Sequence, residues 1–429
     1  MEDRELIPRL YRQEYSRMVS LLCARFGFDQ MDAAEDIVSE TFLSAAESWG
    51  MKGIPDNPVA WLYAVARNNA FNGLKHERVV RDWARDELRR NSGGEGVEPE
   101  WDVSAQGIVD SQLRMMFAVC HPVIPVEAQV SLALRVLCGF TIDEIAQALL
   151  TTRATVNKRL YRAKERLREE GVQLEMPAGP GLASRLDAVL MTLYLLFNEG
   201  YYSANPSMVL RKDLCLEAMR LCFLLTGEGT GAGVKGDADG SGRAGRVVRA
   251  DVYALLALMC FQASRFEARF DDAGGLVLYE QQDSSRWDME LIERGNYFFD
   301  RACERGLESR YHYEAAIAWW HTHPADSKEK WENILMLYNR LLMEVYLPVA
   351  ALNRAYAYSR VYGKAAAIAE TEGLGLEGNL FYHSLLGELY SGIDAGAAVA
   401  HFERALALAG TEAEKAVIAG KLEACRSEE

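Results

Sequence analysis

The chain has 429 residues, of which 49% are hydrophobic and 25% charged, and its formal net charge is −15 at pH 7. This composition is typical of a soluble protein with two to four domains, and such an acidic chain needs a locally basic surface for any contact with nucleic acid. No apolar run approaches the ~18 residues of a membrane helix, and no secretion signal is recognisable, so we predict a cytoplasmic protein without membrane contact.

The cysteines and histidines give no sign of a chemical centre. The eight cysteines are scattered without a C-x-x-C pair, which predicts reduced and mostly buried thiols. His312, His321 and His323 lack both Cys partners and an H-E-x-x-H helix, and no Ser-His-Asp pattern is recognisable. We therefore predict no bound metal, no cofactor and no catalytic residue.

Helix-period patterns rich in Ala, Leu, Glu and Arg run through almost the whole chain, whereas strand-like alternation is scarce. The sequence therefore predicts an all-α fold. Segments rich in Gly, Pro and Ser interrupt the helices at 91–107, 176–181 and 227–245. They hold too few apolar residues to order themselves, so we expect linkers and, at 227–245, a flexible loop.

Residues 35–75 contain two helical patterns with unlike faces. The first has a predicted core stripe of Ile37, Val38, Phe42, Leu43 and Ala46. Its opposite face is polar and includes Asp36 and Glu40. The second begins near Trp61 and presents cations and amides outward, namely Arg67, Asn68, Asn69, Asn72 and Lys75. Because Asn is a poor helix former, this cluster indicates hydrogen bonding to a partner.

Residues 140–168 read as a helix, a tight turn and a second helix rich in cations. Thr141 and Glu144 have the spacing of a capping box, and Thr151 and Thr152 are available to cap the second helix. The segment 151–170 carries seven Lys or Arg against three Glu, a net charge of +4 within an acidic chain. This pattern predicts a DNA-binding helix-turn-helix, with a solvated basic helix as the alternative.

The second helix of this motif has a predicted core of Ala154, Val156, Leu160, Ala163 and Leu167. The polar residues predicted to project outward are Arg153, Asn157, Lys158, Arg159, Tyr161, Arg162, Lys164, Arg166 and Arg168. Recognition helices place their N-terminal side chains on base edges, and later cations on phosphates. We therefore assign Asn157, Lys158 and Arg159 to bases, and Tyr161, Arg162 and Arg166 mainly to the DNA backbone.

From residue 182 onward the predicted helices come in pairs. Two runs follow the spacing of the tetratricopeptide (TPR) unit: Leu386, Gly387 and Tyr390, then Ala398, Phe402 and Ala405. We predict stacked helix pairs that end in a capping helix at 411–425. The most unusual polar group of this half comprises Asn198, Glu199, Asp283, Arg286, Trp287 and Asp288. It either lines a pocket, binds the N-terminal regions or makes ordinary interhelical hydrogen bonds.

Several of these runs together resemble a known family. DIVSETF at 36–42 and TVNKRLYRAKERL at 155–167 resemble regions 2 and 4 of an extracytoplasmic-function (ECF) sigma factor. The later runs LYLLFNEGYYS, LVLYEQQDSSRWD and YHYEAAIAWWH resemble the ECF group with a long TPR-like C-terminal domain. The resemblance implies region 2 at 1–80, a linker at 81–109, region 4 at 110–173 and a TPR-like regulatory domain at 182–429.

The resemblance also implies roles for individual residues. Core RNA polymerase would be bound by Asp36, Glu40 and Phe42. The minus 10 promoter element would be bound by Lys52, Asn57, Trp61, Arg67, Asn68, Asn72 and Lys75. The minus 35 element would be bound by Arg153, Asn157, Lys158, Arg159, Tyr161, Arg162 and Arg166. Unstacking a base costs a few kcal/mol, which a pocket for the flipped base offsets.

The sequence thus predicts a non-enzymatic sigma factor whose partners are core RNA polymerase and promoter DNA. The C-terminal domain is expected to regulate the sigma factor, and intramolecular contact with the sigma regions is one route to that regulation. Whether the regulation activates or inhibits stays open. The main alternative is a ligand-responsive repressor or activator that uses the helix-turn-helix without polymerase. That alternative leaves the acidic helix and the Asn-rich helix without a role.

Overall fold

The computed structural model describes residues 3–71, 102–177, 181–202, 208–228, 243–269, 277, 279–410 and 412–427. Within these ranges every regular element is helical, so the all-α prediction is confirmed. The chain divides into two compact units, Met1–Val248 and Arg249–Glu429. The sequence instead predicts its last domain boundary near residue 182.

The first unit contains the helices α1 (Asp3–Phe26), α2 (Met31–Lys52), α3 (58–71), α4 (Ala105–Val119), α5 (Val126–Leu132), α6 (Ile142–Ala148), α7 (Arg153–Glu169), α8 (Gly181–Tyr201) and α9 (Met208–Thr226). A π-helical turn, Ala133–Leu137, follows α5. The helix α4 begins inside the predicted linker at 81–109, most of which lies outside the described residues.

The second unit begins within α10 (Arg243–Ala263). It continues through α11 (Met289–Ala302), α12 (Arg310–His321), α13 (Lys328–Glu344), α14 (Pro348–Tyr362), α15 (Lys364–Glu372), α16 (Leu380–Tyr390), α17 (Ala395–Leu408) and α18 (Glu412–Ser427). From α11 to α18 each helix packs against the next. Most of the predicted loop at 227–245 lies outside the described residues, and the TPR-like assignment stays a prediction.

The core stripe of α2 differs in part from the predicted one. Ile37, Val38 and Phe42 are buried as expected, but Leu43 is 65% exposed and Ala46 is exposed as well. The buried stripe instead continues through Thr41, Ala45 and Trp49. At 100° per residue, positions 43 and 46 lie off the line that joins these residues, so the prediction for Leu43 and Ala46 was wrong.

In α7 the predicted core residues Val156, Leu160, Ala163 and Leu167 are buried. Ala154 is exposed, because it lies in the first turn on the outer side of the helix. Lys164, predicted to project outward, is buried instead. Its burial has a specific cause in the ion pairs described below.

All eight cysteines are free thiols, and all but the partly exposed Cys303 are buried, as the sequence predicts. Burial raises the pKa of Cys120 and of Cys260 to about 12. These thiols therefore stay protonated at neutral pH, and protonated thiols are poor nucleophiles.

The α16–α17 pair is held by a close contact between a glycine and an aromatic ring. A Cβ on Gly387 would lie 2.8 Å from atoms of the Phe402 ring, which is fully buried. Ala398 and Ala405 flank Phe402 in the same core cluster, and Ile418 of α18 packs on it. Glycine at 387 is therefore needed for the two helices to approach.

We expect Gly387→Ala to destabilise the full chain by about 1–3 kcal/mol, because the added methyl group overpacks the Phe402 ring. Chemical denaturation followed by circular dichroism measures the effect. Gly420→Ala in α18 is the matched control, since its Cβ meets open space and alanine favours the helix interior by up to about 1 kcal/mol. Equal stability of the two variants would contradict the packing argument.

Candidate nucleic-acid interface

The helix-turn-helix is built on two side-chain caps. The Thr141 hydroxyl accepts a hydrogen bond from the Glu144 amide at 3.2 Å, and the Glu144 carboxylate accepts one from the Thr141 amide at 2.8 Å. This capping box starts α6 as predicted. After a tight turn through Leu150, which has a φ of 47°, the Thr152 hydroxyl accepts from the Thr155 amide and starts α7.

The first turns of α7 present a continuous polar surface. Asn157, Lys158, Tyr161 and Arg162 are all exposed, and we call them the α7 reading face. Tyr161 is 61% exposed, with the Glu165 carboxylate close enough to raise the pKa of its phenol. The arrangement offers amide, cationic and phenolic groups on one face of a helix of 17 residues. Such a face suits base edges and phosphates in the major groove.

The other predicted DNA contacts on this helix have partners inside the chain. Arg153 is exposed and pairs with Asp143 at 2.9 Å. Arg159 is half-buried and donates to the Ser131 hydroxyl at 3.3 Å. Arg166 pairs with Glu170 at 2.7 Å. Arg159 is thus less available for a base than Asn157 or Lys158.

The last turns of α7 contact the acidic helix α2. Lys164 is only 8% exposed, and its ammonium donates to Asp32 at 2.7 Å and to Glu35 at 3.0 Å. Arg168 donates to the second oxygen of Asp32. We call these four residues the α2–α7 ion-pair cluster. A buried ammonium between two carboxylates is stable only while both partners stay in place.

The Lys164–Asp32 pair of this cluster is charged throughout the neutral pH range. Burial opposes the charge on Lys164, but the charge of Glu35 and the hydrogen bond to Asp32 outweigh it and raise the pKa of Lys164 above 10.5. Burial likewise opposes the charge on Asp32, yet hydrogen bonds from Lys164 and Arg168 lower the pKa of Asp32 below 3.8. The contribution of the pair is lost only in strong acid or strong base.

Further contacts join the same elements. Arg135 of the π-helical turn pairs with Glu35 at 3.5 Å, and its guanidinium lies over the Tyr15 ring of α1 at 5.2 Å. Arg12 of α1 pairs with Glu144 of α6 at 2.9 Å and also with Asp213 of α9. One guanidinium therefore binds carboxylates of two helices that lie far apart in the sequence.

Helices α8 and α9 also contact α4, α5 and the π-helical turn, which precede the helix-turn-helix in the chain. The Thr192 hydroxyl donates to the Gln129 side chain at 2.8 Å, within a buried environment. Arg220 donates to the Leu137 carbonyl at 2.8 Å, and Arg185 donates to the Phe117 carbonyl at 2.5 Å. These bonds satisfy polar groups that would otherwise be costly to bury.

The acidic helix α2 has an exposed surface that the sequence pattern only partly located. Asp36, Glu40, Leu43 and Glu47 are exposed and follow one another at helical spacing, and we call them the α2 exposed stripe. Phe42, predicted as a polymerase contact, is buried and packs on the Tyr11 ring at 5.0 Å. Phe42 therefore has a core role beneath the stripe.

The predicted minus 10 residues lie at and within α3. Asn57 accepts a hydrogen bond from the Ala60 amide at 3.0 Å and so caps the helix, while Trp61 packs against Trp49 at 5.5 Å. Arg67 and Asn68 are exposed on one face of α3, and Lys52 is exposed at the end of α2. Asn72 and Lys75 lie outside the described residues.

The polar residues singled out in the C-terminal half have mostly local roles. Asn198 and Glu199 are half-buried in α8, where burial raises the pKa of Glu199. Asp283 caps the short turn Ser284–Arg286 and Asp288 caps α11. Arg286 is exposed, whereas Trp287 between the two caps is buried. Sequence reasoning missed Lys330, which no motif marks, although it lies near Trp287 in a cavity described below.

Two negative findings apply to the described ranges alone. No group of three His, Cys, Asp or Glu side chains in them is placed to hold a metal ion. No helix in them has the length and apolar character to cross a membrane.

Three protein-family models match parts of this chain. Residues 10–91 match the family model for sigma-70 region 2, and residues 114–167 match the model for sigma-70 region 4. Residues 185–234 and 243–303 match a family of unknown function, DUF6596. The chain therefore combines sigma-70 regions 2 and 4 with a C-terminal extension.

Two curated proteins are similar to this chain. An uncharacterized protein of Rhizobium meliloti (strain 1021) is 33% identical over 402 residues, which cover 92% of this chain and 90% of the relative. A probable RNA polymerase sigma factor of Haemophilus influenzae is 26% identical over 161 residues, covering 35% of this chain and 83% of the relative. No solved structure matches the chain.

The fold and the reading face define a helix-turn-helix transcription factor whose second module is formed by α1, the acidic helix α2 and α3. The chain belongs to the sigma-70 family, in a form that joins regions 2 and 4 to a C-terminal domain of unknown function. It is a sigma factor that directs transcription initiation.

Proposed function

We propose that this sigma factor closes on itself when free and opens to read a promoter on core RNA polymerase. The carrying observation is the α2–α7 ion-pair cluster, in which Lys164 of region 4 is buried between Asp32 and Glu35 of region 2. The proposal assigns polymerase docking to α2, minus 10 recognition to α3 and minus 35 recognition to the α7 reading face. The C-terminal extension regulates the closed state.

Polymerase docking on the α2 exposed stripe is supported by its composition. The exposed, apolar Leu43 lies between the carboxylates of Glu40 and Glu47, and Asp36 continues the stripe one turn further along α2. An exposed apolar side chain ringed by charges is the pattern of a protein interface, in which the centre supplies affinity and the rim supplies orientation. The stripe stays accessible while α7 holds Asp32 and Glu35, so docking does not require prior opening.

Promoter reading requires the two regions to separate. The minus 10 and minus 35 elements are about 25 base pairs apart, or about 85 Å at ~3.4 Å per base pair. From the ion-pair cluster, α7 extends about 17 Å back to Arg153 and α2 extends about 30 Å to Lys52, at ~1.5 Å per residue. Since α3 folds back on α2 through Trp61 and Trp49, the closed unit is too short to grip both elements.

The first two helices of the C-terminal extension are placed to stabilise the closed state. Arg12 of region 2 pairs with Asp213 of α9, while Thr192 of α8 donates to Gln129 in region 4. Because α8 and α9 contact both sigma regions, they raise the free-energy cost of separating them. We therefore propose that the extension inhibits the free sigma factor, in the role that a separate inhibitor protein would fill.

The test of the proposed function is promoter-dependent run-off transcription by core RNA polymerase and the purified full chain on a promoter library. We expect discrete transcripts that share a minus 10 and a minus 35 sequence. Tight binding of the chain to duplex operator DNA without polymerase, and no transcripts, would instead support the repressor alternative.

Two substitutions on the reading face separate base contacts from phosphate contacts. We expect Asn157→Ala to relax selection at one minus 35 position, at a cost of about 1–3 kcal/mol, because a bidentate base contact is lost. Arg162→Ala should weaken all promoters alike and reduce the salt dependence by about one counterion. Selection of promoters from the library, repeated at two salt concentrations, measures both effects. Lys328→Ala, an exposed cation of α13, serves as control.

A further inference from the structure

The second unit contains a cavity of about 340 Å³ that the sigma-factor activity does not use. It is lined by the three aromatic residues Tyr279, Trp287 and Trp331 and by the charged residues Asp326, Lys330 and Arg360. Small-molecule sites in proteins typically range from about 300 to 1,000 Å³ and combine apolar walls with a few polar groups. The cavity thus has the size and lining of a site for a small ligand.

The dominant polar group of this cavity is a buried ammonium. Lys330 is 2% exposed, and its Nζ donates to the Tyr279 hydroxyl at 2.8 Å and to the His323 carbonyl at 2.5 Å. Within the described residues no carboxylate lies within 4.0 Å of this Nζ. Burial of a cation without a counter-charge is costly, and it lowers the pKa of Lys330 to about 8.

Asp326, the carboxylate that lines the cavity, already has hydrogen-bond partners of its own. Asp326 accepts hydrogen bonds from the Trp331 indole at 2.5 Å and from Arg360, whose guanidinium lies over the Trp331 ring at 5.1 Å. A third cation, Arg265, lies over the Tyr279 ring at 5.3 Å. Among the described residues, Lys330, Arg360 and Arg265 thus outnumber the carboxylate of Asp326 here, in a chain whose net charge is −15.

A second, independent observation concerns an unpaired donor. Trp287 lines the cavity and is 8% exposed, and its indole Nε1 has no hydrogen-bond acceptor among the residues that the structure describes. Buried polar groups are nearly always paired, so an orphan donor beside an unneutralised ammonium indicates an acceptor that binds there. Asp283 and Asp288 cap the turns on either side and hold Trp287 in this position.

We propose that this cavity binds a small aromatic monocarboxylate. Its carboxylate neutralises Lys330 and accepts from the Trp287 indole, and its ring lies among Tyr279, Trp287 and Trp331. One ammonium and one indole donor match a single carboxylate, whereas a phosphate group usually needs an arginine fork or a helix terminus. The volume leaves room for a small molecule but not for a folded peptide segment.

Binding is tested on the full chain by isothermal calorimetry with indole-3-acetate, benzoate and phenylacetate as probes. Indole-3-acetamide, which has the same ring without the charge, is the matched neutral ligand. We expect at least one acid to bind, and indole-3-acetate to bind at least tenfold more tightly than the amide. Equal affinity of acid and amide, or no heat with any of the three acids at millimolar concentration, would overturn the proposal.

Variants assign the binding to the named groups. Lys330→Met keeps the length of the side chain and should weaken binding of the acid at least tenfold without affecting binding of the amide. Trp287→Phe keeps an aromatic ring but removes the indole donor, and should weaken binding of the acid severalfold. The control is Lys328→Met, which replaces an exposed lysine at the start of α13. If Lys330→Met fails to fold by circular dichroism, Trp287→Phe decides. Unchanged affinity in the folded variants contradicts the assignment.

The pH dependence gives a further readout. The charged groups around Lys330 are Asp326, Arg265 and Arg360, and burial keeps the nearby His321 neutral by lowering its pKa well below 6.5. As the pH rises from 7 to 9 Lys330 loses its proton, so affinity for the acid should fall about tenfold. A constant affinity across this range contradicts a role for the ammonium. None of these measurements uses polymerase or DNA, so they stand apart from the proposed sigma-factor mechanism.

Discussion

Replacing Lys164 with alanine is expected to increase run-off transcription several-fold when the full chain is limiting. The substitution leaves Asp32 and Glu35 facing each other without their shared cation. Truncation of one partner in a buried, hydrogen-bonded ion pair typically costs about 2–5 kcal/mol. Because the cost falls on the closed state alone, the population of the open, promoter-competent state rises.

Three controls make the Lys164 result decisive. The double variant Asp32→Ala with Lys164→Ala should show a non-additive effect, since both residues act through one contact. Small-angle X-ray scattering should report a larger radius for Lys164→Ala, and circular dichroism an unchanged helix content. If the variant is folded but transcribes at or below the level of the parent chain, the ion-pair cluster does not inhibit.

Replacing Leu43 with aspartate is expected to reduce affinity for core RNA polymerase at least tenfold, or about 1.4 kcal/mol. Leu43 is 65% exposed and contributes nothing to the core, so the change leaves folding intact. A charge at the apolar centre of a protein interface must be desolvated without a partner. Affinity is measured by fluorescence anisotropy of the labelled full chain titrated with polymerase.

Neighbouring substitutions define the edges of this effect. Glu40→Lys should weaken docking and also reduce its salt dependence, because a rim charge steers association more than it holds the complex. Glu344→Lys reverses the charge of an exposed residue at the C-terminal end of α13 and should leave docking unchanged. Loss of affinity in Glu344→Lys to the same extent would mean that net charge, and not the α2 exposed stripe, governs docking.

Local features of the chain could be predicted from its sequence. The capping box at Thr141 and Glu144, the cap at Thr152 and the buried positions Val156 and Leu160 depend on residues within one or two helical turns. Their physical causes act over the same short distance. The all-α fold follows from such patterns repeated along the chain.

Long-range features escaped prediction for the opposite reason. Lys164 has the appearance of a surface cation, because its partners Asp32 and Glu35 lie more than 120 residues away. Leu43 is assigned to the core by the sequence pattern because it directly follows Phe42 and lies three residues before Ala46. Lys330 carries no motif at all, since its environment is assembled by residues from the turn before α11 and from α13 and α14.

The two roles proposed for α7 fall on different turns of one helix. Asn157, Lys158, Tyr161 and Arg162 are exposed in its first half, whereas Lys164 and Arg168 bind α2 in its second half. Under the proposed mechanism, mutations in the first half retarget the sigma factor to new promoters and leave the proposed inhibitory contact in the second half unchanged. An exchange of the first half alone would then change the set of controlled genes without changing the closed state.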